Sequence, residues 1–125
     1  MSLTSIYRLN GLLGLFWAAS LWLGGNMMAK SYGWEGEEVT IPMITMAQLL
    51  GTSFFFSAIV FIMLPNWTSE RQLKKATKTL ILLQIIFLIV QIFHIYTKVI
   101  PLGVMQYLGI GLSTLFILLF YLKSR

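Results

Sequence analysis

The chain has 125 residues, of which 58% are hydrophobic and only 10% are charged, with a formal net charge of +5 and no cysteine. A soluble domain carries about 25% charged residues, so this composition excludes an ordinary soluble domain and predicts a membrane protein. The lack of cysteine excludes disulfides and iron–sulfur clusters within the chain. The basic residues stand at predicted helix ends and form no groove-sized patch, which argues against nucleic acid as a partner.

The first apolar stretch, roughly residues 6–28, is about as long as the ~20 residues that a helix needs to cross a bilayer. It carries Gly11, Ala18 and Gly25 at seven-residue spacing. Small residues on one face let two helix backbones approach closely in lipid. We therefore expect this face to pack against another helix of the bundle, or to dock another subunit.

The first loop, residues 29–40, is acidic, with Glu35, Glu37 and Glu38 near Lys30. Three carboxylates in a glycine-containing loop resemble a divalent-cation site. The alternative is a solvated loop that avoids positive charge outside the membrane. Composition favours the solvated loop.

The second apolar stretch, roughly residues 41–64, is bounded by prolines and carries hydroxyl and amide groups. Pro42 falls in the first turn, where its missing N–H costs nothing, and Pro65 is expected to end the helix. Thr45, Gln48 and Thr52 share one face. In the following segment, residues 68–78, Ser69 is a candidate N-cap and predicts a short helical extension before the third stretch.

The third apolar stretch, roughly residues 79–100, carries a polar stripe. Gln84, Gln91, His94 and Lys98 follow one another at spacings of seven, three and four, so they lie on one side of a helix. Polar groups are costly in lipid, and the stripe is therefore expected to face the bundle interior.

Gln48 and Gln91 fall at similar predicted depths, which predicts a polar cluster in the outer half of the bundle. Helix 4 could add Gln106 and Ser113. Such a cluster serves either as interhelical hydrogen bonds or as a ligand-binding site. The candidate ligand-binding residues are Gln48, Gln91, His94, Thr45 and Thr52.

His94 is the only histidine. One imidazole is enough for an axial ligand to a haem or a chlorophyll-type pigment, and nearby Phe87, Phe93 and Tyr96 would suit a flat ring. No cysteine, aspartate or glutamate shares the membrane with His94, so no metal site is expected. No paired ionisable groups suit acid–base chemistry, so no catalytic residue and no enzyme activity are expected.

The fourth apolar stretch, roughly residues 102–122, follows Pro101, which separates it from the third. Gly109 and Ser113 form a small-xxx-small pair that lets two helices approach. We expect this pair either to pack inside the bundle or to form a docking face for another subunit.

Together the stretches predict one domain over residues 1–125, an all-α, antiparallel up-down bundle of four transmembrane helices. Lys- and Arg-rich short segments stay in the cytoplasm, which predicts a multi-pass protein with both termini cytoplasmic. The basic residues that fall on that side are Arg8, Arg71, Lys74, Lys75, Lys78, Lys123 and Arg125.

Four short motifs add a resemblance: YRLNG at 7–11, YG at 32–33, QLLG at 48–51 and PNW at 65–67. With them the first half of the chain resembles small bacterial four-helix membrane proteins grouped as domains of unknown function. The resemblance implies a bacterial inner membrane and carries no activity or site residue with it.

The leading hypothesis for function is a non-catalytic accessory subunit or assembly factor of a larger membrane complex of the respiratory or photosynthetic type. Its partners would be membrane lipids and other membrane protein subunits. One alternative is a self-standing small-molecule or lipid binder that uses the polar cluster. The other is a pigment- or haem-bearing subunit with His94 as axial ligand.

Overall fold

The computed structural model of the chain describes residues 1–34 and 40–125. These residues form five helices and no strand: α1 (Leu3–Leu23), α2 (Gly25–Ser31), α3 (Ile41–Trp67), α4 (Glu70–Tyr96) and α5 (Val104–Ser124). The prediction of an all-α chain is confirmed for the described part. Three of its helices, α3, α4 and α5, are long and apolar enough to cross a membrane, and the number rises to four if α1 and α2 form one broken span.

The first apolar stretch is two helices, and the prediction of one continuous helix over 6–28 is wrong. α1 begins earlier, because the Ser2 side chain accepts a hydrogen bond from the Ser5 N–H at 3.1 Å. It ends at a glycine pair, after which α2 turns away by 118°. Gly25 has φ +43°, a conformation that favours glycine. Gly25 therefore shapes the bend, and no atom lies within 4 Å of a Cβ built on it, so it does not pack against another helix as expected.

α3 begins as predicted, with Pro42 in its first turn, but it does not end at Pro65. Proline at this position loses one hydrogen bond and can still hold helical φ. The helix continues to Trp67. Beyond it, the Thr68 hydroxyl donates to the Leu64 carbonyl at 2.8 Å and satisfies one of the last acceptors.

α4 begins with the predicted Ser69 cap, which forms a capping box with Gln72. The predicted extension and the third apolar stretch are one helix. It ends at Tyr96, before the predicted boundary at residue 100, and Lys98 follows with φ +58°. Lys98 therefore lies outside the helix and is not part of the polar stripe. The expected break at Pro101 is confirmed, since α5 begins at Val104.

α1 packs closely against α3 through small residues. A Cβ built on Gly11 would lie 2.8 Å from the Ala58 carbonyl oxygen, and one built on Gly51 would lie 3.2 Å from the Ala18 carbonyl oxygen. These contacts run in opposite order along the two helices, so α1 and α3 run in opposite directions. The structure thus places Gly11 and Ala18 against a helix of the same chain.

One hydrophobic core joins the α1–α3 pair to the α4–α5 pair, at the end of the molecule that holds both termini. It contains Leu3, Ile6 and Tyr7 of α1, Leu73 of α4, and Phe116 and Phe120 of α5. The Tyr7 ring meets the Phe120 ring edge-on, with 4.9 Å between centroids. The Tyr7 and Thr77 hydroxyls lie 2.9 Å apart. Because Thr77 donates to the Leu73 carbonyl at 2.7 Å, Tyr7 is the donor to Thr77.

At the opposite end, the residues after α2 meet the turn before α5. A Cβ built on Gly103 would lie 2.5 Å from the Gly33 nitrogen and 2.6 Å from the Ser31 carbonyl oxygen. Gly33 has φ +92°, which lets the chain turn there. Two glycines therefore allow direct backbone contact between the two connections.

Candidate functional site

The candidate site is the contact between α4 and α5, here called the polar seam: Gln84, Gln91 and His94 of α4 with Gln106, Gly109 and Ser113 of α5. The Gln91 Nε2 atom lies 4.0 Å from a Cβ built on Gly109, so the missing side chain leaves room for the amide. His94 and Gln106 each lie about one helical turn from this contact, toward the α4–α5 connection. They are therefore at the same height along the two helices. The stripe therefore faces a helix of its own chain, and Ser113 is half-buried on the same side of α5.

Three polar atoms of the polar seam are buried and have no hydrogen-bond partner among the described residues. They are Oε1 of Gln84, Nδ1 of His94 and Oε1 of Gln106. Gln106 is the most enclosed of the three residues, with only 3% of its surface exposed. A buried acceptor without a partner costs about 1–3 kcal/mol. The polar seam can therefore accept hydrogen bonds from a donor that enters it.

The polar residues of α3 lie elsewhere. Thr45 and Gln48 are exposed, and the Gln48 carbonyl accepts hydrogen bonds from the Thr52 hydroxyl at 3.0 Å and from the Trp22 indole at 3.0 Å. The Trp22 hydrogen bond ties α3 to α1, whereas the Thr52 bond lies within α3. α3 and α4 make little contact with each other, and no hydrogen bond joins Gln48 to Gln91 in the described part of the chain. The structure does not bring the two halves of the expected polar cluster together.

Few aromatic side chains surround His94 in a way that would hold a flat macrocycle. Its ring is tilted by 64° against the Phe93 ring, with 5.8 Å between centroids. Phe87 and Tyr96 are exposed, with 59% and 84% of their surfaces open. They do not enclose the imidazole.

Within residues 1–34 and 40–125, no three His, Cys, Asp or Glu side chains cluster. Glu35, Glu37 and Glu38 lie outside the described residues.

Sequence reasoning missed a cavity formed by the first three helices. A partly open space of about 200 Å³ lies between α2, the end of α1 and the first half of α3. An apolar cavity of roughly 150 Å³ can hold a benzene-sized molecule, so this one can take a small ring or part of an acyl chain. The Gly24–Gly25 doublet was the sequence feature that could have indicated the cavity, because the cavity lies beside the bend that these glycines allow. Its lining is mostly apolar and includes Leu21, Met28, Tyr32, Trp34, Met43, Ile44 and Leu50.

Comparison with known proteins gives no functional lead. No protein-family model matches the chain. Neither curated proteins nor solved structures show a significant match. The resemblance to small bacterial four-helix proteins stays a prediction.

Proposed function

We propose that this protein is a non-catalytic accessory subunit or assembly factor of a larger membrane complex. The observation that supports the proposal is the outward face of α5. Gly111 lies on this face, and no atom lies within 4 Å of a Cβ built on it. Around it the face is apolar and exposed, with Tyr107, Leu108, Leu115 and Leu118.

Glycine in a helix interior costs about 0.8–1.0 kcal/mol relative to alanine. Gly11 recovers that cost through close contact with α3, whereas no described residue packs on Gly111. In lipid, small residues stabilise helix association by letting backbones approach. A helix of another subunit packed at Gly111 would account for the glycine. The docking face is thus centred two residues from Gly109, which faces α4.

In this proposal the chain crosses the membrane four times as an antiparallel up-down bundle, with the α1–α2 pair as one broken span. Both termini lie in the cytoplasm, and the membrane is a bacterial inner membrane. The basic residues at the ends of α1, α4 and α5 support this orientation, because short Lys- and Arg-rich segments are retained on the cytoplasmic side. The complex would be of the respiratory or photosynthetic type.

The test is affinity isolation of the tagged chain from its native membrane in mild detergent, with mass spectrometry of the co-eluting proteins. We expect stoichiometric co-elution of other membrane subunits and its loss in Gly111→Leu. Ser57→Leu is the matched control, since Ser57 is an exposed small residue of α3. Elution alone or as a homo-oligomer would contradict the proposal, as would full assembly of Gly111→Leu.

A second candidate function is a self-standing binder of a small molecule or lipid, and the unpartnered acceptors of the polar seam favour it. A molecule extracted from the purified protein and lost in Gln91→Leu would support it. A haem or chlorophyll-type pigment on His94 is a special case. It requires a visible absorption band that disappears in His94→Leu, and a colourless preparation from cofactor-replete membranes would contradict it.

A further inference from the structure

Three cations stand on the outward face of α4. Arg71, Lys75 and Lys78 are all exposed and lie within roughly 60° of arc on a helix that turns 100° per residue. The buried residues of the same turns, Leu73 and Thr77, lie on the opposite face against the core. The packing of α4 therefore presents the three charges together, away from the protein interior.

These three charges have no carboxylate within ion-pair distance in the described part of the chain. The neighbouring Lys74 differs, because its Nζ lies 3.4 Å from Oε1 of Glu70. Glu70 is the only acidic residue outside the first loop. The outward face thus keeps an uncompensated positive charge that favours an anion.

The same face continues as an apolar surface. Leu82, Ile85 and Ile89 follow the cations within roughly 80° of arc, and all three side chains are exposed. None of the 18 residues in the most apolar window of α4 is buried inside the protein. From Lys78 to Ile89 the surface rises about 16 Å at 1.5 Å per residue. Charge at one end and hydrocarbon along the rest match the layout of a phospholipid.

We propose that this face of α4 binds an anionic phospholipid, with the phosphate on Arg71, Lys75 and Lys78 and an acyl chain along Leu82, Ile85 and Ile89. Lipid is favoured over a protein helix because the face carries no glycine, alanine or serine. Close helix pairing in membranes relies on such small residues, whereas fluid acyl chains fit large branched side chains. Basic residues at the membrane surface attract anionic headgroups. The proposal does not depend on the function proposed above.

The experiment uses a single introduced cysteine, which is possible because the chain has none. Leu82→Cys on α4 and Leu115→Cys on the outward face of α5 each receive an environment-sensitive fluorophore. The labelled full chain is reconstituted in phosphatidylcholine vesicles that contain 10% brominated phosphatidylglycerol or 10% brominated phosphatidylcholine. Bromine quenches the fluorophore only when the brominated acyl chain lies in contact with it. The ratio of quenching by phosphatidylglycerol to quenching by phosphatidylcholine therefore reports the local lipid preference.

At position 82 we expect phosphatidylglycerol to be preferred by about threefold or more, and high salt should reduce the preference. Lys75→Gln with Lys78→Gln should bring the ratio close to one. Lys30→Gln with Lys98→Gln is the matched control, since it removes two lysines at the opposite end, and it should leave the ratio unchanged. Position 115 should show little preference.

Equal preference at positions 82 and 115 would overturn the proposal in favour of a diffuse attraction to the basic end. Equal quenching by the two lipids at position 82 would also overturn it. Weak quenching by both lipids would show that a second copy of the chain covers α4, and would overturn it as well. Circular dichroism of each variant checks that the helices are intact.

Discussion

Small residues stand on both helix pairs of this chain, but only α1 and α3 use them to bring two backbones together. At Gly11 a Cβ would fall 2.8 Å from a carbonyl oxygen of the neighbouring helix, whereas at Gly109 the nearest atom is the Gln91 amide nitrogen at 4.0 Å. In lipid, apolar side chains gain little by leaving the bilayer for another helix, so packing contact decides which pair holds tightly. The α1–α3 contact is tight, whereas the polar seam is looser and leaves acceptors unpartnered.

The largest effect is expected from breaking the tight contact with Gly11→Leu. The new side chain would collide with Ile62 and with the Ala58 backbone, and backbone cannot yield as a flexible side chain can. We expect the free energy of unfolding to fall by about 3 kcal/mol. Thermal unfolding in detergent micelles, followed by circular dichroism, measures the loss.

Gly111→Leu is the matched control for this experiment, because it introduces the same side chain into open space on α5. Its free energy of unfolding should not fall, and the higher helix propensity of leucine should raise it by about 0.5–1 kcal/mol. A similar loss in both variants would show that leucine disturbs any helix of this protein, and would remove the distinction between the two helix pairs.

The second prediction concerns the polar seam. Gln106→Leu removes a buried acceptor that has no partner among the described residues, so we expect the purified protein to gain about 1–2 kcal/mol of stability. The change in melting temperature measures it, with Gln48→Leu on exposed surface as the control. A loss of stability would instead mean that the Gln106 amide is hydrogen-bonded to a molecule that purifies with the protein.

The third prediction concerns the link between the two pairs. Tyr7→Phe removes the hydroxyl that donates to Thr77 at 2.9 Å and leaves the aromatic contacts with Phe120 in place. We expect a loss of about 1 kcal/mol in the free energy of unfolding. Tyr107→Phe should cost nothing measurable, because Tyr107 is exposed on α5. Equal melting temperatures for Tyr7→Phe and wild type would show that the rings alone join the pairs.

The smallest expected effect comes from adding one methyl group to a glycine in each contact, α4–α5 and α1–α3. Gly109→Ala has room for its Cβ and should stabilise α5 by about 0.5–1 kcal/mol through helix propensity. Gly51→Ala should gain less or lose stability, because its Cβ would meet Leu21 and Trp22 at 3.1 Å. Identical changes in the two variants would mean that the packing difference is too small to matter.

The helices were largely predictable from the sequence, because runs of apolar residues without charge define them directly. The role of Ser69 as N-cap was predictable as well, since a serine three residues before a glutamine at a helix start is typical of a capping box. Pro65 misled the prediction because a proline in the last turn removes one hydrogen bond without ending the helix. The bend at Gly25 was hidden by its seven-residue spacing from Ala18, which made it look like one more packing position.

The partners of the polar residues were harder to predict. The positions of Gln84, Gln91 and His94 on one side of α4 follow from their spacing, but spacing does not say which helix lies opposite. The main expected partner was α3, the preceding helix in the chain, with Gln106 and Ser113 of the fourth helix as possible additions. The structure places α5 opposite the stripe. α3 instead packs on α1 through Gly51, whose role depends on Ala18, Leu21 and Trp22, about 30 residues earlier in the sequence.

The contact between Gly103 and the Ser31–Gly33 backbone has a consequence for how the protein is made. The ribosome delivers α1, α2 and α3 first, so the tight α1–α3 contact can form while α4 and α5 are still being synthesised. The residues after α2 receive their neighbour only after Gly103 has been synthesised. Folding is therefore completed when the residues after α2 meet the turn before α5. A chain that stops before residue 103 can form the α1–α3 contact but not this one.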